Sequence, residues 1–249
     1  MSAHELLKSE YSFAEARQLQ IEYRSKIQEE QKDPDFFINE MDIRYLIGVD
    51  ISYFRKDNQD YGVACGVLWN YKENVLIDKY FAQSIIKFPY KAGFLGFREN
   101  SLIAKAIKNS EVTPDLLMCD GHGIIHPRRF GEATHLGVAL NIPSMGVAKN
   151  PFIGFCDSKD LKRIKGNKIP IWMRDPRETP SELNEKLGYA VALSDKRKPV
   201  YLSSGYRIRL DIALEIALKT SSDHRQPDPL FIADQCSREE IKKNKVNES

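Results

Sequence analysis

Hydrophobic and polar positions change texture three times along the chain. Residues 3–31 are polar and helix-favouring, with no glycine or proline before Pro34, and predict an N-terminal helix that packs on a later core or frays. From Tyr45 the apolar runs become short and dense. YLIGVDISYF, VACGVLWN (63–70) and VLIDKYFAQSII (75–86) predict three strands whose short connections suggest an antiparallel meander. A third texture follows, in which helical stripes alternate with continuously apolar runs. Leu102, Ile103, Ala106 and Ile107 form one stripe, and Ala133, Leu136, Gly137 and Leu140 a second. PDLLMCD and PSMGVAKN have the uninterrupted apolar character of strands covered on both faces. KIPIWMRD, LGYAVALS and PVYLSSG predict further strands, and RIRLDIALEIALKT a helix apolar nearly all round. Past Asp234 the chain is charged without apolar periodicity, which predicts fraying. The expected architecture is a mixed α/β sheet flanked by helices. It divides into an N-terminal helical extension (1–40), one α/β domain (41–238) and a charged tail (239–249).

Composition narrows the class without naming an activity. At 249 residues, 42% hydrophobic and 29% charged, the chain suits one domain with a substantial core. Net charge is only +2, so the balance alone does not announce a polyanion partner. Basic residues do cluster, in HPRRF, in KDLKRIKGNK (159–168) and in IKKNK (241–245), although a charge run is more often a solvated face. Cys65, Cys119, Cys156 and Cys236 have no close pairing and read as reduced thiols. No secretory h-region is visible, and no apolar stretch approaches the roughly 20 residues that cross a bilayer. A soluble, cytoplasmic protein without a membrane partner is expected.

Candidate chemistry gathers where apolar runs end in acids. Asp50 closes LIGVD and Asp120 closes LLMCD. Carboxylates beside buried strands are costly unless hydrated, paired or bound to a cation. Glu99 precedes Leu102, Ile103 and Ala106 at helical spacing, so it shares their apolar face and needs a partner there. Asp234, in LFIADQC, is a fourth such acid. Singly, each is a strand end or a surface charge; together they are equally a site for one or two hard cations such as Mg²⁺. Cys119, His122 and His126 would be the ligands of a rival zinc site, but the glycines around them and Pro127 oppose the helix that would align them, and no CxxC supports it.

Four segments in order give the chain a family likeness: IGVDIS (47–52), FPYKAGFLGFRE (88–99), CDGHGIIHPRRFGEATHLGV (119–138) and GVAK (146–149). With LSSGYRIRLDIAL and RQPDPLFIADQCSR matching more loosely, residues 45 to about 238 resemble endonuclease V, a metal-dependent nuclease of the ribonuclease H-like fold. The resemblance implies a sheet whose first three strands are antiparallel and whose later strands are parallel. It implies cleavage of DNA or RNA at inosine, hydrolysing the second phosphodiester 3′ to the lesion and leaving 3′-hydroxyl and 5′-phosphate ends. It also implies Mg²⁺ as cofactor, with Mn²⁺ able to substitute, and a monomer acting in repair of deaminated bases.

By motif, Asp50, Glu99, Asp120 and Asp234 match the metal-binding acids, and His126 and Lys149 the basic residues near the scissile phosphate. Tyr90, following Pro89, matches an aromatic wedge that would fill the gap left by an extruded base. Extrusion costs a few kcal/mol, and stacking on an aromatic returns about 1–3 kcal/mol. Leu95, Gly121, Gly123 and Gly146 match the base pocket, where glycine permits close main-chain approach, although each glycine would equally serve a turn. Two departures stand out. Lys91-Ala92 replaces a stiffer loop sequence common in bacterial members, which leaves an inosine-specific endoribonuclease in RNA turnover, and a nuclear or nucleolar location, as alternatives. Tyr206 stands where many members carry histidine and receives no catalytic role. An inosine-binding module with little turnover is the reading from another class.

Overall fold

The computed structural model describes residues 4–246. Its strands are β1 (Tyr45–Lys56), β2 (Gln59–Asn70), β3 (Val75–Ile85), β4 (Leu116–Cys119), β5 (Ser144–Ala148), β6 (Lys168–Trp172), β7 (Lys186–Val191) and β8 (Val200–Tyr206). Its α-helices are α1 (Phe13–Glu30), α2 (Leu95–Lys108), α3 (Glu132–Leu140), α4 (Leu210–Lys219) and α5 (Asp228–Val246). All eight strands form one sheet in the order β3, β2, β1, β4, β5, β8, β7, β6. The first three are the expected antiparallel meander. Asp57 and Asn58, both at positive φ, make the tight turn between β1 and β2, the conformation a two-residue hairpin requires. β4 then pairs parallel to β1 and β5 parallel to β4, while β8, β7 and β6 return antiparallel at the far edge.

Side-chain alternation assigns the two faces. Leu46, Leu116 and Met118 point to one side with Met145 and Val147, where Ile212, Ile216, Leu230 and Ala233 of α4 and α5 cover them. Ile47, Val49, Leu117 and Cys119 point to the other, under Leu102, Ile103 and Ala106 of α2 and Ala133 and Leu136 of α3. The continuous apolar runs of β1 and β4 are thus explained by helices on both faces.

The polar N-terminal segment does pack. Ser12 Oγ accepts a hydrogen bond from Glu15 N–H at 3.1 Å and caps α1. Ala16, Leu19, Tyr23 and Ile27 then bury one stripe against Phe88, Phe94, Phe97 and Phe130. Gln20 lies on the same stripe. It is buried, and its side-chain amide donates to the carbonyls of Gly93 (2.9 Å) and Phe130 (3.1 Å).

The chain after Asp234 departs from the expected frayed tail. It continues α5, which begins at Asp228, as far as Val246 and buries Cys236, Ser237 and Ile241, beside Leu230 and Ala233 of the preceding turns. The stripe is built from small residues, which carry little hydropathy but allow close packing. Pro229 lies so near β1 that a Cβ on Gly48 would meet its Cβ at 2.6 Å and its carbonyl carbon at 2.7 Å. Ser237 Oγ meets Ser52 Oγ at 2.7 Å across the same seam. No helix among the described residues is long and apolar enough to cross a membrane.

Gly48→Ala is therefore expected to push α5 off β1 and destabilise the fold by about 1–3 kcal/mol, the usual cost of overpacking. Urea unfolding reads this as a lower midpoint, and an unchanged midpoint would contradict the close seam.

Candidate active site

The acids come together because of strand register. β1 and β4 pair parallel through Val49 and Cys119, so Asp50 and Asp120 follow at adjacent positions just past the last pair. The Asp120 N–H donates to the Val49 carbonyl at 3.3 Å, holding the two strands side by side at that point. Asp50 is not a strand end, since β1 runs six residues further, paired with β2. α5 brings Asp234 over the same position, within hydrogen-bonding reach of Asp50. Asp234 also accepts from Arg238 at 2.8 Å. Lys149, just past β5, places Nζ at 2.5 Å from Asp120 Oδ2.

Behind this group lies a second acidic pair, of which the sequence pattern singles out only Glu99. Glu99 of α2 is buried, as its place on the apolar stripe predicts, and accepts a hydrogen bond from the Tyr53 hydroxyl. Beside it is Glu132, in the first turn of α3, only 5% exposed and hydrogen-bonded to Glu99. Its Oε2 has no hydrogen-bond partner among the described residues and packs on Gly121, where an added Cβ would fall 2.0 Å away.

Electrostatics follow from this crowding. Burial, and then the Asp120 carboxylate, push Asp50 far above the ordinary carboxylate range, against the pull of Lys149. Burial does the same to Glu99 and Glu132; two carboxyls in contact cannot both ionise readily, so the pair holds a proton. Burial would lower Lys149, but Asp120, Asp50 and Asp234 outweigh it and keep the ammonium charged.

These residues fit a hard cation. The donors are carboxylate oxygens, one of them is buried without a partner, and their mutual repulsion calls for positive charge. The carboxylates meet in pairs, Asp50 with Asp234 and Glu99 with Glu132. Among the described residues no three acidic, histidine or cysteine side chains converge at ligand spacing. The zinc alternative finds no support in the geometry: Cys119 is fully buried, while His122 and His126 pack on Phe152, each at 5.7 Å between ring centroids.

Next to the acids is a cavity of about 170 Å³ lined by Tyr90, Gly93, Leu95, His122, Glu132 and Phe152, among others. Tyr90 stands at its rim, 73% exposed, with Pro89 exposed before it. Gly121, Gly123 and Gly146 are stacked behind the cavity rather than lining it. A Cβ on Gly146 would strike the Gly121 carbonyl at 2.4 Å, and one on Gly123 the Ser204 carbonyl at 2.0 Å. The Gly123 N–H is already donated to Ser203 Oγ at 2.9 Å.

His126 is not among the acids; it anchors the loop that carries Tyr90. Nε2 donates to the Gly93 carbonyl at 3.0 Å, and Nδ1 accepts from the Arg128 N–H at 3.1 Å. Burial lowers its pKa to about 4, so the ring is neutral, with the tautomer set by these partners. Arg128 and Gln20 donate to the same Gly93 carbonyl, at 3.0 and 2.9 Å, and Gly93 holds a positive φ of 83°. Three donors on one carbonyl fix the Tyr90 loop from below. Gln20, Arg128 and Phe152 were not singled out in the sequence, where only the HPRRF cluster hinted at one of them. Tyr206 lies elsewhere, its hydroxyl donating to Glu30 at 3.0 Å and its ring against Phe36.

Comparison with known proteins agrees with this geometry. The family model for endonuclease V matches residues 22–235. An endonuclease V from Dictyoglomus thermophilum is 38% identical over 221 residues, covering 89% of this chain and 87% of that protein. The crystal structure of an endonuclease V from Bacillus subtilis superposes with a TM-score of 0.84 at 27% identity, covering 98% of each chain. The endonuclease V of Ciona intestinalis, in complex with a 24mer DNA containing an inosine followed by a ribo-adenosine, gives a TM-score of 0.70 at 28% identity, covering 89% of this chain and 97% of that one. The chain belongs to the endonuclease V family.

Proposed function

We propose that this protein is a divalent-metal-dependent endonuclease that recognises inosine in nucleic acid and hydrolyses the second phosphodiester on its 3′ side, leaving 3′-hydroxyl and 5′-phosphate. The observation that carries this reading is that Asp50, Asp120 and Lys149 gather at one point of the sheet while His122 and Asn150, one or two residues further along the chain, line a cavity with an exposed tyrosine at its rim. A base drawn out of the stack fits such a cavity, and Tyr90 can occupy the gap it leaves. Gly93, clamped by Gln20, His126 and Arg128, keeps the Tyr90 loop preorganised, so little ordering cost falls on binding. Lys149 can offset negative charge developing on the phosphoryl oxygens.

Asp50, Asp120 and Asp234, with Glu99 and Glu132 behind them, would hold Mg²⁺ or Mn²⁺. That ion would supply charge neutralisation and a more acidic water. Repair of deaminated DNA is the task this reading favours. Cleavage of inosine in RNA is the second reading, favoured by Lys91-Ala92 in the loop and by the ribo-adenosine beside inosine in the Ciona complex.

The test is cleavage of one inosine-containing sequence as single-stranded RNA, single-stranded DNA and duplex DNA, each with Mg²⁺ and with EDTA, against an adenosine control. Metal-dependent cutting confined to inosine is expected, with a loss of at least ~10²–10³-fold in Asp50→Asn and Asp120→Asn, the scale of losing one transition-state charge contact. RNA preference would select the ribonuclease reading. Cutting by the variants at wild-type rate would refute the site, and binding without cutting would leave a recognition module.

Linkage between charge and stability gives a second prediction. Asp50 is pushed from 3.8 up to about 9 and Glu99 from 4.5 up to about 7. The folded chain therefore holds protons that the unfolded chain has already lost, and stability falls as pH rises through this window. In EDTA, the melting temperature should drop between about pH 5 and about pH 9, and saturating Mg²⁺ should restore it most at the alkaline end. A Mg²⁺ effect equal at both ends would contradict the carboxylate cluster as the binding site.

A further inference from the structure

The sequence run KDLKRIKGNK and the separate run SDKRK meet in space. The Lys196 N–H donates to the Arg163 carbonyl at 2.8 Å, and the Lys165 N–H to Asp195 Oδ1 at 2.8 Å. Gly166 and Asn167 exchange backbone hydrogen bonds with Ala192, both at 2.9 Å. Two loops thus lie side by side and expose Lys162, Arg163, Lys165, Lys196, Arg197 and Lys198 together. Lys165 Nζ donates to the Ser221 carbonyl and Arg197 Nε to the Asp223 carbonyl, so neither contact is with a carboxylate.

This surface differs from three cations nearer the acids. Lys149, Arg129 and Arg238 are each matched by a carboxylate, Asp120, Glu185 and Asp234. None of the six side-chain cations on the paired loops lies within 4.0 Å of a carboxylate oxygen among the described residues. Six cations with only Asp195 and Asp223 beside them repel one another, and a polyanion relieves that repulsion. A solvated face would have the same composition. What separates the two is continuity with the site: Arg225 donates to the Pro199 carbonyl, at 3.2 Å from Nε and 2.9 Å from Nη2, and also to the carbonyl of Lys149. The basic loops therefore begin one residue from a guanidinium that is tied to the lysine on Asp120.

We infer that this surface is a second contact for nucleic-acid backbone, reached by a strand that passes Asp50 and Asp120 and continues over Pro199 onto Lys198, Arg197, Lys196 and the 162–165 loop. The inference rests on the proposed nuclease reading but concerns binding, not cleavage. Residues 196–199 span at most ~10 Å. With a rise of about 3.4 Å per nucleotide on one strand, that is room for about three phosphates. The contact is to phosphate, so it is indifferent to base sequence and to inosine.

The test uses Lys162→Gln/Lys196→Gln/Lys198→Gln, three side chains with no hydrogen bond that the fold needs, in otherwise wild-type and in Asp50→Asn full-length protein. Binding to inosine strands is measured against salt concentration. One set of strands ends about two nucleotides beyond the cleavage position; others are extended by about ten on either side in turn. On one of the extended strands the variant should bind at least ~10-fold more weakly, with the salt slope reduced by about two, as for loss of two to three phosphate contacts. On the short strand, affinity and single-turnover cleavage should match wild type. Equal weakening on short and long strands, or none on either, would overturn the inference. If wild type cuts no inosine strand while the variant still loses affinity for the extended one, the nuclease reading fails and the surface stands. If wild type cuts inosine but length makes no difference, the surface fails and the nuclease reading stands.

Discussion

Two carboxylates at adjacent register positions on neighbouring parallel strands impose the constraint from which the rest of the site follows. Asp50 and Asp120 are fixed by the β1–β4 pairing, so they cannot move apart without breaking the middle of the sheet. Burial and the Asp120 carboxylate raise the cost of ionising Asp50, and Lys149 is held where it offsets part of that cost. Adding Asp234 from α5, and Glu99 and Glu132 from α2 and α3, increases negative charge further instead of relieving it. Such an arrangement is unfavourable for a fold alone, and it becomes favourable when a divalent cation belongs to it.

Holding five acids together requires close approach of backbone elements, and the glycines supply it. Gly48 lets α5 reach β1 and deliver Asp234; Gly121 leaves room for the Glu132 carboxyl; Gly146 and Gly123 let β5 and the loop after β4 stack behind the cavity. On the other side of the cavity, α1 acts through one polar residue. Gln20 joins Arg128 and His126 in donating to the Gly93 carbonyl, so the N-terminal helix is coupled to the loop that carries Tyr90. The site depends on elements from nearly the whole chain, which matches the extent of the endonuclease V family match.

Much of this was legible in the sequence, for identifiable reasons. Asp50 and Asp120 close apolar runs, and Glu99 falls on an apolar helical stripe, so each contradicts its surroundings and draws notice. Glu132 was invisible because an acid in the first turn of a helix is ordinary: it complements the helix dipole and is usually solvated. Only the packing of α3 on Gly121 makes it a buried acid. The part of α5 beyond Asp234 looks like a tail in the sequence because Cys236 and Ser237 carry much of its buried stripe, and small residues barely register as hydrophobic periodicity. Only the family resemblance places His126 near the scissile phosphate, and its contact as a loop anchor is with Gly93, which is 33 residues away in the chain.

Anomalous diffraction from a Mn²⁺-soaked crystal of the full chain tests the central claim most directly. A peak bounded by the carboxylates of Asp50 and Asp120 is expected, with Lys149 turned away from Asp120, and loss of that peak in Asp50→Asn. A peak confined to the histidines near Phe152, or none within reach of Asp50 and Asp120 at saturating Mn²⁺, would contradict it.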